Sequence, residues 1–186
     1  MTFAARLLNS TVTALFFIFV LSSPLFAQTE VLDQLFDELA APESPQWQRI
    51  EQEIWIEWSK SGSDSMDFLL ERGRAAMSAG DYEVAIEHFT ALTDHAPEFA
   101  EGWNARATAY FLADLYGPSL SDIRQTLALN PRHFGAMSGL GRILEQMGYQ
   151  QEALDAFRAA QAIHPHKPSI KDTIERLEKE LGGTNL

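Results

Sequence analysis

The chain contains no cysteine. That excludes disulfides, thiolate nucleophiles and thiolate metal sites together, and it also excludes a lipid anchor at a processed terminus, which would need a cysteine there. Basic side chains are scarce. Lys and Arg total 14 against 26 Asp and Glu, giving a net charge of −12. A surface of that sign repels phosphate, so nucleic acid is not an expected partner. Long apolar runs are nearly absent. One near the start, Val12 to Leu21, is about half the ~20 residues a spanning helix needs. What remains is ordinary for a folded protein, 46% hydrophobic and 22% charged in 186 residues, enough for one domain or one short repeat array.

The opening segment "MTFAARLLNSTVTALFFIFVLSSPLFA" has Arg6 as its one charge, followed by the apolar run, Pro24 and a small residue at Ala27. This is the layout of a secretory signal peptide, residues 1–27, with cleavage expected between Ala27 and Gln28. The competing expectation is a retained membrane anchor. Cleavage would leave an acidic exported chain with no membrane span, periplasmic in the first instance and secreted in the second.

A repeat runs through the rest. Pro97, Pro131 and Pro165 stand 34 residues apart, and the same interval relates Gly73, Ala107 and Gly141, then Ala85, Ser119 and Ala153. Phe89, Ile123 and Phe157 agree with it, as do Tyr82, Tyr116 and Gln150. Five classes of position sharing one period over about a hundred residues define structural units, not coincidence. Within "AGDYEVAIEHF", Gly80-Asp81 is expected to turn the chain between two helices, with Asp81 capping the second. Ala85 is small where two helices approach, and Phe89 fills the gap between one hairpin and the next. A single hairpin cannot bury these groups, so units must stack. In "LNPRHF", Asn130 is expected as a helix cap with Pro131 in the first turn.

On these residues the chain resembles the tetratricopeptide repeat family, whose unit is 34 residues of helix, turn, helix. Trp103, Ala107 and Tyr110 carry the family's opening in the middle unit, Leu140-Gly141 in the third, and Gly73 in the first. Departures are Arg72 and Arg106 in place of leucine, Asp114 in place of the turn glycine, and Gly117-Pro118 opening a second helix. The resemblance implies an all-α solenoid of stacked helical hairpins with units at 66–99, 100–133 and 134–167.

Both ends need closing with a polar outer face. Residues 168–183 supply a capping helix, with Ile170, Ile174, Leu177 and Leu181 on one stripe and Gly182-Gly183 as its stop. Residues 28–63 form an N-terminal helical hairpin. Val31, Leu32, Leu35, Phe36 and Leu39 line its first helix, and Trp47, Ile50, Ile54 and Trp58 its second, opened by Ser44-Pro45. The 34-residue step sets Trp55 in register with Phe89, which makes a degenerate fourth unit one alternative, although Glu51 then stands where a small residue belongs. The tryptophans either fill core or present an aromatic surface to a partner.

No catalytic set emerges. His88 and His95 lie two helical turns apart, and His164 and His166 flank Pro165. Two histidines without an adjoining carboxylate or thiol leave a metal set incomplete, so no metal, no cofactor and no enzymatic activity are expected. The resemblance instead implies a concave groove lined by the first helices, holding a partner's extended peptide or helix. The positions that would face it are Leu70, Arg74 and Met77, then Asn104, Thr108 and Phe111, then Ser138, Arg142 and Glu145. Asn104 would hold a peptide backbone, the arginines a carboxylate, and Leu70, Met77 and Phe111 apolar side chains. The alternative is that the arginines balance nearby acids such as Asp67 and Glu101. One branch of the family grips C-terminal carboxylates with a lysine and asparagine clamp, but Leu70 stands where the lysine belongs. The expected role is therefore a non-enzymatic protein-interaction module, an envelope adaptor or assembly factor, with a self-associating envelope scaffold as its rival.

Overall fold

A computed structural model describes the backbone of residues 24–183 and the side chains of 29–183. Most of the expected leader, residues 1–23, lies outside the described residues. Those described form nine helices and no strand: α1 (Pro24–Ala40), α2 (Trp47–Trp58), α3 (Asp64–Ser78), α4 (Tyr82–His95), α5 (Ala100–Leu112), α6 (Tyr116–Leu129), α7 (Phe134–Gln146), α8 (Gln150–Ile163) and α9 (Pro168–Gly183). The fold is all-α. Three hairpins, α3–α4, α5–α6 and α7–α8, stack in order, and α9 covers the last.

Each intra-hairpin turn needs one residue with positive φ, and the three occur at the repeat interval: Gly80 at 83°, Asp114 at 59° and Gly148 at 83°. The following amides reach back five residues to close the helix ends, Asp81 to Ala76, Leu115 to Tyr110 and Tyr149 to Leu144, at 2.8–2.9 Å. Asp114 holds the left-handed conformation because a short polar side chain tolerates it. Its carboxylate also accepts a hydrogen bond from the Tyr116 hydroxyl at 3.0 Å.

The helices of a unit meet through a matched pair. A Cβ on Gly73 would stand 2.3 Å from the Phe89 ring, and one on Gly141 would stand 2.7 Å from Phe157. In the middle unit the corresponding pair is Ala107 and Ile123, a smaller partner for a larger residue. Phe89 thus packs first within its own hairpin, and its cluster extends to Ala105 and Ala109 of α5.

Several caps differ from expectation. Asp81 occupies the N-cap position of α4 but makes no side-chain capping bond. Asn130 ends α6 and accepts from the Arg132 amide, so Pro131 lies in the loop before α7. The cap of α7 is His133, whose Nδ1 accepts from the Ala136 amide at 3.1 Å.

The larger difference concerns α1 and α2. They form a hairpin, but it does not stack on α3–α4 as a fourth unit would. It folds back toward the second and third units. Leu35, Phe36, Leu39, Ile50, Ile54 and Trp58 share one core with Phe134, Leu154, Phe157 and Ile170. The register of Trp55 with Phe89 therefore fails, because the hairpin's apolar faces meet α7, α8 and α9 instead.

Candidate functional site

The first helices touch one another across units, α3 on α5 and α5 on α7, while no contact of that extent joins α4 to α6 or α6 to α8. The first helices therefore form the inner face. There a groove of about 470 Å³ runs between α5, α7 and α9. Six of the nine sequence-predicted positions line it: Asn104, Thr108, Phe111, Ser138, Arg142 and Glu145. Leu70 and Arg74 line a separate cavity of about 550 Å³ between α2 and α3, and Met77 packs against the core around Phe89. The nine residues do not form one channel. Leu70 is 1% exposed and belongs to the core, not to an open apolar pocket.

Charges divide sharply. Arg74 donates to Glu101 at 2.5 Å and to the Ser59 hydroxyl at 3.0 Å, so it balances the acid next to it. Glu101 is buried near the start of α5 and also accepts from the Asn104 amide at 2.9 Å. Its third partner is His133. Because Nδ1 of that ring accepts, Nε2 carries the proton and donates to Glu101 at 3.1 Å. Asn104 is thus partly committed inside the fold, and its truncation would cost about 1 kcal/mol. Glu145 pairs with Arg176 at 2.7 Å. Thr108 and Ser138 each donate to the backbone carbonyl four residues earlier. Arg142 alone of the nine is both exposed and cationic, with no acidic partner among the described residues.

Sequence reasoning left open whether the tryptophans of the hairpin fill core or face a partner, and it did not place Trp55 of α2 in the groove. Trp55 lines the groove beside Gly135, where a Cβ would stand 2.6 Å from its ring. The ring meets His133, Phe134 and Trp58 edge-on at 5.1–5.8 Å. Trp58 stacks on His133 at 4.1 Å and is buried. The hairpin is fastened further along by Glu51, which pairs with Lys167 and faces the buried His164 at 3.5 Å. Burial pushes the Glu51 carboxyl upward, but the adjoining His164 and the bond and charge of Lys167 outweigh it and hold it at about 2. His166 bonds the Ala41 carbonyl at 2.8 Å, and Arg132 pairs with Asp33 at 2.6 Å. His164 and His166, which suggested an incomplete metal set, thus pack against the hairpin. Among the described residues no cluster of three or more His, Asp or Glu could hold a metal ion, and no helix is long and apolar enough to cross a membrane. A signal against stacking as a fourth unit did exist, although not one for where the hairpin goes: Glu51 at a position that stacking requires to be small.

Arg106, one of the departures from the repeat pattern, lies behind the groove. It grips both oxygens of Asp122 at 2.7 and 3.0 Å, donates to Thr93, and lies 4.9 Å from the Trp103 ring. The Asp122 bond and charge outweigh burial and raise its pKa.

Stacked two-helix units with an inner groove define a helical-repeat solenoid. The tetratricopeptide repeat profile matches residues 70–117 and 119–168, more than half of the chain. The chain belongs to the tetratricopeptide repeat family. A TPR repeat-containing protein of Rhizobium etli is 34% identical over 153 residues, covering 82% of this chain and 75% of that protein. The small glutamine-rich tetratricopeptide repeat-containing protein 2 of Mycosarcoma maydis is 26% identical over 61% of this chain and 32% of its own length. Among solved structures, the first TPR of Spaghetti (RPAP3) bound to an HSP90 peptide superposes with a TM-score of 0.60 at 23% identity, over 63% of this chain and 93% of that one. MamA superposes with a TM-score of 0.59 at 19% identity, over 83% and 84%. At these identities the likeness concerns the fold.

Proposed function

We propose that the chain is a non-catalytic protein-interaction module that takes a segment of a partner protein into the groove between α5, α7 and α9. The observation that carries this is the groove's equipment: polar side chains at the repeat interval, an apolar wall, and one exposed cation, Arg142, without an acidic partner among the described residues. A preformed concave surface of this kind binds without bond chemistry, and its affinity comes from burial plus a few directed polar contacts. The HSP90-peptide complex of a structural neighbour supports such a use of the fold. The opening segment supports an exported, periplasmic setting, and hence an adaptor or assembly factor of the envelope.

Crosslinking in the envelope followed by mass spectrometry tests this. Asn104→Ala and Arg142→Glu should each reduce capture of one defined partner at least fivefold, and Arg142→Glu should leave melting unchanged. Undiminished capture by both variants would place the binding surface elsewhere. Osmotic-shock fractionation tests the setting, with a mature terminus at Gln28 expected.

A further inference from the structure

We infer that the α1–α2 hairpin is part of the binding site, and that the site takes a short segment carrying one bulky apolar side chain two or three residues from an acidic one. This rests on the groove assigned above and narrows its ligand. A channel along all three units is not available, because Leu70 is buried and Arg74 is tied to Glu101 and Ser59. What remains open has Trp55 as a wall contributed from outside the repeats, and the ring is only partly buried.

The chemistry of the ligand follows from what is unsatisfied. Lys167 is matched by Glu51, Glu145 by Arg176 and Glu101 by Arg74, which leaves Arg142 to attract an anion. Trp55 stands over Gly135, and Arg142 is two helical turns further along α7. That separation is about 10 Å at 1.5 Å per residue, or about three residues of extended peptide. Between them Gly139 offers no side chain, and its nearest neighbour would be 3.7 Å from a Cβ, so a ligand backbone can lie close to α7 there. An apolar side chain on Trp55 and a carboxylate on Arg142 would then be held at once.

A random linear peptide library panned on the whole chain tests this. Enriched peptides should pair a bulky apolar residue with Asp or Glu at that spacing. Their Kd should rise at least tenfold with Trp55→Ala and with Arg142→Glu, and their addition should shift the Trp55 indole NMR signal. The indole signal is read in the unaltered chain, so it stands even if Trp55→Ala misfolds. Peptides that bind equally to Trp55→Ala and leave the indole signal still would overturn this inference while leaving the groove assignment intact. No enriched peptide at all would overturn both.

Discussion

Replacing Glu51 by glutamine isolates the fastening of α2 to the loop before α9. The carboxyl of Glu51 is held at about 2, below its ordinary 4.5, so the folded chain keeps it ionised further into acid than the unfolded chain does. Its contribution is therefore full above pH 4.5 and fades as pH falls toward 2. At 1.36 kcal/mol per pH unit the gap corresponds to about 3 kcal/mol. Glu51 is half-buried, so solvent screening trims this figure. Glutamine keeps a hydrogen-bond acceptor for Lys167, which makes about 3 kcal/mol the ceiling of the expected loss. Urea unfolding of both chains from pH 7 to pH 2, followed by circular dichroism, measures it. The loss should be largest at neutral pH and should shrink below pH 4. A loss that stays constant to pH 2, or one under about 0.5 kcal/mol at pH 7, would refute the argument that this carboxylate clamps the hairpin.

Further outcomes follow from the repeat packing. Gly73→Ala should destabilise by about 1–3 kcal/mol through overpacking against Phe89, and adding Phe89→Ile should recover part of it, as thermal melts would show. Asp122→Ala strands the half-buried Arg106 and should cost at most about 3–5 kcal/mol in urea unfolding, whereas adding Arg106→Leu should restore most of it. Asp114→Gly should stabilise by up to about 1 kcal/mol, since glycine adopts positive φ freely, less the lost bond to Tyr116.

The repeats were legible because each depends on local chemistry that recurs. Positive φ at 80, 114 and 148, and the size match between residues 73 and 89, 107 and 123, or 141 and 157, are written into residue types at a fixed interval. Six groove residues followed from the family resemblance, which implies that the first helices line the groove, together with the repeat interval and helical phase. The placement of α1–α2 was not legible. Amphipathic stripes say that a hairpin must be covered, but not by which unit, and the partners of Glu51 and Asp33 lie 116 and 99 residues away. The cap of α7 has the same cause. His133 stacks on Trp58 of the returning hairpin, so its role depends on tertiary packing that no local pattern contains.

Photocrosslinking from single sites tests the central claim most directly. A photoreactive residue at Ser138, inside the groove, should capture a partner protein in the envelope, while one at Glu152, exposed on α8, should not. Capture from Glu152 with none from Ser138 would contradict binding in the groove.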